Sequence, residues 1–277
     1  MDETRINDTT TPVNKEVDRR KVLQLLGGGL GALIIAGCGG GSTTAANTTT
    51  STTGSTTGST TGSTTGSTTG GTSSTGTPEG EIGPYFVDDS ATGFNRSNIL
   101  SNIDGTNTQS GVPLKLTLYV YDSENGDAAY EGCQIDIWHA NALGSYSDES
   151  GLGTSGQTWL RGYQVTDATG KVTFNTIIPG WYSGRTAHIH LKLRSSYNES
   201  GSTSDGSNTT QLFFPQSLID TIYTTVSPYN TKGEEDTTNA TDHVYTPETK
   251  ALTQLVLTGD TTNGYSATFA LYLPITS

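Results

Sequence analysis

The chain has 277 residues, an apolar fraction of only 31% and 35 glycines, so part of it cannot be packed core. Its formal net charge is -13 and its 14 lysines and arginines are scattered, which excludes a phosphate-backbone partner, because nucleic-acid binders need clustered basic residues.

At the N-terminus, Arg19 and Arg20 precede an apolar run from Val22 to Ala36 that is too short and too glycine-rich for a membrane span. It reads as a cleavable targeting signal. The run closes on Ile35-Ala36-Gly37-Cys38, which resembles the lipobox of bacterial lipoproteins, where the cysteine becomes the acylated first residue of the mature chain. The paired arginines in DRRKVLQLL resemble a twin-arginine export signal, whose pathway carries folded, often cofactor-loaded proteins. An ordinary secretory signal with incidental arginines is the plainer alternative. Residues 1–38 are thus expected to be a signal peptide ending in the lipobox cysteine, and the protein an exported cell-envelope lipoprotein facing the periplasm or exterior, held to the membrane through Cys38. The only other cysteine is Cys133, so acylation of Cys38 leaves no intramolecular disulfide.

Residues 39–77 are nearly all Gly, Ser and Thr and include five successive STTG units from Ser51 to Gly70, which cannot bury apolar surface. This stretch is expected to be a disordered linker with a reach of roughly 35 Å, from the square-root scaling of flexible chains.

Residues 78–277 then form one domain of ordinary size. Its apolar signals are short alternating runs: LKLTLYVYD from Leu114, CQIDIWHA from Cys133, KVTFNTII from Lys171, HIHLKLR from His188 and SATFALYL from Ser266. Each reads as a strand, separated from the next by turns such as Glu124-Asn125-Gly126 and Asp167 to Gly170, and the one helical stretch is a short segment near Gln216 to Thr225. The fold class expected is all-β, an antiparallel β-sandwich. Cys133 shares a strand face with Ile135 and Ile137 and so reads as a small core residue.

The chemically informative stretch runs from Ile135 to Leu193. His188 and His190 lie two apart in a strand, so both imidazoles project from one face and can reach one ion. Six residues before His188, Tyr182 follows a Pro-Gly turn that can bring its phenol toward the same spot. By itself a His-x-His pair on a strand is also a common surface or packing feature.

The segments IDIWHANALGSYSD and LRGYQVTDATGKVTFNTIIPGWYSGRTAHIHLKL resemble, in order and spacing, the core of the intradiol ring-cleavage dioxygenases, the family of catechol 1,2-dioxygenase and protocatechuate 3,4-dioxygenase. With GPYF at Gly83 to Phe86 and TQLFF at Thr210 to Phe214, the likeness spans most of the chain beyond the linker. The resemblance implies a non-haem iron(III) centre whose four protein ligands fall on Tyr146, Tyr182, His188 and His190. Phenolates are hard anionic donors that suit ferric iron better than zinc or copper(I). It further implies cleavage of a catechol-like ring by dioxygen between the two hydroxyl-bearing carbons, with a muconate-type dicarboxylate as product. In that scheme Tyr146 stays bound and Tyr182 leaves as the substrate chelates. Arg185 matches the family arginine that stabilises negative charge on the substrate, and Gln211 the glutamine beside it; a salt-bridged surface arginine and a buried sheet glutamine are the structural alternatives.

Two departures from the family pattern stand out. Ser195 to Asn208 reads as a polar insertion between the second histidine strand and Gln211, and the helical N-terminal dimerisation segment of the catechol-cleaving branch has no counterpart, so no oligomer is implied. Among other residues, His139 is expected either to have a structural role or to support the ligand residues from behind, and not to ligate. Asp242 and His243 form a second candidate metal pair in a loop. Trp159, Tyr163, Trp181 and Tyr85 either line an aromatic pocket or fill core.

Two other readings remain open from sequence. A non-catalytic prealbumin-like or carboxypeptidase-regulatory-like sandwich, used for adhesion or carbohydrate binding, shares the pattern TDATGKVTFNTIIPGWY but has no reason to carry Tyr146, His188 and His190 together. Alternatively the same site acts outside the cell on phenolic lignin or humic fragments.

Overall fold

The structure, a computed structural model, describes residues 69–70, 76–88, 93–195 and 207–274, all within the unit Gly62–Ser277. The expected signal peptide, Cys38 and the expected linker apart from 69–70 and 76–77 lie outside the described residues. In chain order the strands are β1 (Thr69–Gly70), β2 (Pro113–Asp122), β3 (Ala128–Ala129), β4 (Gln134–Trp138), β5 (Arg161–Val165), β6 (Lys171–Ile177), β7 (His188–Arg194), β8 (Ser207–Phe213), β9 (Leu257–Asp260) and β10 (Gly264–Leu273). Among the described residues there are also two α-helices, α1 (Gln216–Thr225) and α2 (Pro247–Thr253), and two 3-10 turns at Ser150–Leu152 and Tyr229–Thr231. None of the described helices is long and apolar enough to cross a membrane.

The strands form two sheets. In the first, β2 pairs with β6 and β3 along one edge and with β10 along the other, and β10 in turn carries β9 and β1. The second is the antiparallel run β5-β4-β7-β8. Period-two alternation turns the apolar half of each strand inward. Leu116, Leu118, Phe174, Phe269 and Leu271 of the first sheet thereby meet Ile135, Ile137, Ile189, Leu191 and Leu193 of the second in one buried core. Cys133 sits in that core, and burial pushes its thiol up to about 12, so it is an inert packing group.

The expected sandwich is thus the observed architecture, with a departure in strand direction along β10, which is parallel to β1 as well as to β2. β10 runs parallel to β2 over the whole register from Tyr265 opposite Leu114 to Leu273 opposite Asp122. The expected helix is α1, which buries Ile219, Ile222 and Tyr223. Of the expected polar insertion, Ser207 and Asn208 belong to β8, because they extend its ladder opposite Arg194 and Leu193, while 196–206 lie outside the described residues.

The outward face of the second sheet carries the candidate site residues of its strands. One row across it reads Arg161, Trp138, His190 and Gln211, each directly opposite the next. The neighbouring row sets His188 opposite Phe213. These side chains do not face water. A second apolar cluster of Trp138, Ala140 and Tyr146, with Tyr85, Phe86 and Tyr182 against it, covers this part of the face.

Candidate active site

Three segments bring the candidate side chains together over that row. β7 supplies His188 and His190, both buried. A turn after β4 supplies Tyr146: Asn141 closes it by accepting the Leu143 and Ser145 N–H groups at 3.1 and 3.0 Å. The Pro179-Gly180 turn after β6 supplies Tyr182. It is braced from behind by two tyrosines, Tyr223 of α1 donating to the Pro179 carbonyl at 2.9 Å and Tyr229 donating to the Ile178 carbonyl at 2.6 Å. Lys232 ties the two turns, its ammonium donating to the carbonyls of both Leu143 (2.9 Å) and Trp181.

The four expected ligands converge. The Nε2 atoms of His188 and His190 are 3.0 Å apart, and the Tyr182 hydroxyl is 3.3 Å from His188 Nε2. The Tyr146 and Tyr182 rings are 5.6 Å apart, and Tyr146 is 6.2 Å from the His190 ring. Nδ1–H of His188 donates to the Thr186 carbonyl at 2.6 Å, which fixes the tautomer and leaves Nε2 with its lone pair toward the other donors. His190 lies flat on the Trp138 indole at 4.8 Å, so its ring cannot rotate away.

Burial and the Arg185 charge push His188 down to about 3, and burial, His188 and Arg185 hold His190 well below its ordinary value. Both imidazoles are therefore neutral. Burial, reinforced by the Tyr182 phenol, pushes Tyr146 well above its ordinary value. Tyr182 is raised by burial too, with Arg185 opposing the shift. These are the directions expected of groups that need a cation to become anionic ligands. The Tyr146 hydroxyl makes the same point, since it is buried with no well-formed hydrogen bond. The side chains that converge here are a mixed set of two phenols and two imidazoles that could serve as donors. It fits a hard, highly charged cation.

Arg185 and Gln211 stand beside the donors. Arg185 is buried and donates through Nε to Asp242 at 2.9 Å and through Nη2 to Gln211 Oε1 at 2.5 Å. Gln211 passes the link on, its amide donating to the Glu81 carbonyl at 2.7 Å.

Residues 80–88 lie over the site as a strap. Gly80 N donates to Thr209 O at 2.6 Å, and Asp88 pairs with Arg194 at 2.9 Å. Arg194 is itself buried against Asp136 of β4 at 2.8 Å. Between these anchors Tyr85 stacks on Tyr146 at 4.3 Å and meets Tyr182 edge-on at 5.7 Å, while Phe86 packs on Trp138 at 5.0 Å. Gly83 allows the approach: its φ is +70°, and a Cβ there would lie 3.1 Å from His190 Cε1.

The remaining candidates fall elsewhere. His139 is buried with both ring nitrogens engaged, at Ala140 O (2.8 Å) and Thr176 Oγ1 (2.7 Å), as its structural expectation requires. Asp242 and His243 do not form a metal pair. The Asp242 carboxylate turns inward to Arg185, whereas the His243 side chain is 60% exposed beside Glu81. Trp159 is in the main core and Trp181 packs at its edge under Lys232. Of the four aromatic candidates Tyr85 is the one whose ring packs on the candidate ligands, and Tyr163 is buried on the same outward face as Asp136.

Residues 82–227, just over half of the chain, match the family model described as Dioxygenase. Among curated proteins, catechol 1,2-dioxygenase 1 of Acinetobacter lwoffii is 28% identical over 138 residues, which are 43% of this chain and 42% of that protein. The chain thus spans about two fifths of the length of that curated relative. Among solved structures, an intradiol ring-cleavage dioxygenase from Tetranychus urticae is similar with a TM-score of 0.59 and 27% identity, over 72% of this chain and 95% of that one. The dioxygenase domain of a dioxygenase–carbohydrate-binding protein fusion from Streptomyces sp. SirexAA-E is similar with a TM-score of 0.50 and 29% identity, over 73% of this chain and 99% of that one.

Proposed function

The chain belongs to the dioxygenase family of intradiol ring-cleaving enzymes, and from that premise we propose that it opens a catechol-type ring between its two hydroxyl-bearing carbons, using ferric iron held by Tyr146, Tyr182, His188 and His190. The observation that carries this reading is the convergence of two neutral imidazoles and two buried phenols on one point, with Nε2 atoms 3.0 Å apart and the Tyr182 hydroxyl 3.3 Å from one of them.

Iron, when bound, would supply the Lewis acidity and one-electron reactivity toward dioxygen that organic side chains lack. The residues do the rest. Tyr182 is less buried than Tyr146 and sits at the edge of the group, so its oxygen is the base that takes a catechol proton as substrate enters. Tyr146, locked under Tyr85, remains as the permanent anionic donor. Arg185 supplies positive charge beside the donors, where the ring gains negative charge, and costs no reorganisation because its guanidinium is already held. The strap with Tyr85 and Phe86 keeps bulk water from the reacting carbons. Both oxygen atoms end in the product, a muconate-type dicarboxylate.

We further propose that the protein works at the cell envelope, anchored through lipid on Cys38, on phenolic fragments met outside the cytoplasm. The lipobox-like Ile35-Ala36-Gly37-Cys38 and the arginine pair before the apolar run support this.

The test is metal content, colour and product. Full-length protein is expected to hold one iron per chain, to absorb in the visible through tyrosinate-to-iron charge transfer, and to consume a catechol and dioxygen in equal amounts. A colourless protein with stoichiometric zinc, or a yellow 2-hydroxymuconic semialdehyde as product, overturns the reading.

A further inference from the structure

We propose that Asp242, a loop residue outside every strand and helix, is the positioning residue of the site and aims the Arg185 guanidinium at the point where the four donors meet. The inference rests on the reading of Arg185 as the cation that faces substrate.

The Asp242 side chain is 0% exposed, and both of its oxygens are fully used. Oδ2 accepts Arg185 Nε and the Thr186 N–H, each at 2.9 Å, and Oδ1 accepts the Val244 and Tyr245 N–H groups at 2.8 and 3.0 Å. Thr186 is the residue whose carbonyl fixes the His188 tautomer. One carboxylate therefore ties the guanidinium, the approach to β7 and the loop after Asn239 into a single unit.

The geometry of a guanidinium makes this an aiming device. It is a rigid planar fork, so engaging two of its nitrogens determines the direction of the third. Asp242 takes Nε, with Oδ1 also 3.5 Å from Nη2, and Gln211 takes Nη2. Nη1 makes no hydrogen bond among the described residues and is left for the substrate side.

Charge gives a second reason. An arginine beside two tyrosines that become anionic would collapse onto the nearer phenolate if nothing held it back. A buried carboxylate on the opposite edge keeps the guanidinium in place and balances its charge before substrate arrives. Burial alone would push the Asp242 carboxyl up, yet Arg185 and the backbone N–H groups outweigh burial and keep it below its ordinary value. The ion pair is thus intact at neutral pH.

Two measurements on the full-length protein separate positioning from mere loop structure. Asp242→Asn keeps an oxygen for the Val244 and Tyr245 N–H groups while losing the charge. In iron-loaded protein this variant is expected to lower kcat on the order of 10²-fold with KM for catechol nearly unchanged. In an Arg185→Ala background it is expected to add nothing further, with iron stoichiometry and visible absorption equal in all four proteins. In metal-free protein, the Arg185 Nε–H is expected to exchange slowly by nuclear magnetic resonance and to become fast in Asp242→Asn. An equal loss of kcat in both backgrounds, or an Nε–H that exchanges equally slowly in the variant, overturns the proposal. The exchange measurement decides the positioning role even if the parent protein turns over no diphenol, an outcome that would instead sink the proposed activity.

Discussion

A Cβ on Gly144 would lie 1.8 Å from the Trp181 carbonyl oxygen, so the turns that carry Tyr146 and Tyr182 touch backbone to backbone. The spacing of the two phenols is set by that contact. Gly144 also has a φ of +80°, where a side chain is strained whatever space it finds.

Gly144→Ala is therefore expected to destabilise the fold by about 3 kcal/mol, combining left-handed strain with overpacking. It should also spread the donors. Thermal unfolding checks the first effect, with a fall in melting temperature of roughly 6–12 °C for a domain this size. Iron bound per chain checks the second, and should fall well below that of the parent. Unchanged stability and metal content would mean that the turns separate without cost.

Tyr182→Phe and His188→Ala should differ in kind. Removing the Tyr182 hydroxyl leaves three protein donors and a phenyl ring still packed on Tyr85, so the variant is expected to retain most of its iron and to bind catechol slowly, for want of the internal base. His188→Ala removes a donor locked by Thr186 and should lower iron occupancy itself, on the order of 10–100-fold in affinity. Metal analysis and stopped-flow absorbance distinguish the two. Equal iron loss in both variants would contradict the division of roles between the ligands.

Glu235 supplies a pH dependence away from the site. Burial is the main cause that raises its carboxyl from 4.5 to about 6, while the Gln216 amide, donating to one oxygen, opposes the shift. A carboxyl raised in the folded state favours folding while it stays protonated. Its contribution is fully present below about 4.5 and is lost as pH rises through about 6. Glu235→Gln retains the acceptor for Gln216 and removes the titration. The variant should melt higher than the parent above pH 6, with the gap closing below pH 4.5. A gap that is constant with pH would assign the difference to packing.

The strands that could be read from sequence are those whose alternation is clean, such as Leu114 to Val120 and His188 to Leu193, because each has one face in the core. β5 and β8 escaped for a physical reason. In RGYQV the position facing the core beside Ile137 is Gly162 and a charged residue, Arg161, is buried on the other face, so no apolar alternation shows, and SNTTQLF has apolar side chains only at its end. α2 buries only Thr253, so it has no helical period, and its one signal was Thr246-Pro247, the cap and first residue of the helix. The residues proposed as ligands were legible through their motifs. The role of Asp242 was not: it was paired with His243 as a metal candidate, since a loop carboxylate has no period and its actual partner, Arg185, lies 57 residues away in sequence. Nor could local pattern reveal that β10 lies parallel to β2, because strand neighbours are chosen by the whole chain.

That parallel pair bears on the order in which the chain is made. Among the described strands β2 is one of the first to be made, and the neighbour along one of its edges, β10, is made after all the others. Until residues 264–273 emerge, Leu116, Leu118 and Val120 have no strand beside them on that edge, and the first sheet stays open. Closing the first sheet therefore waits on a pairing between strands more than a hundred residues apart in sequence, a long-range and so a slow event. Loss of Ser266 to Leu273 would remove not a tail but an inner strand of the barrier between core and solvent.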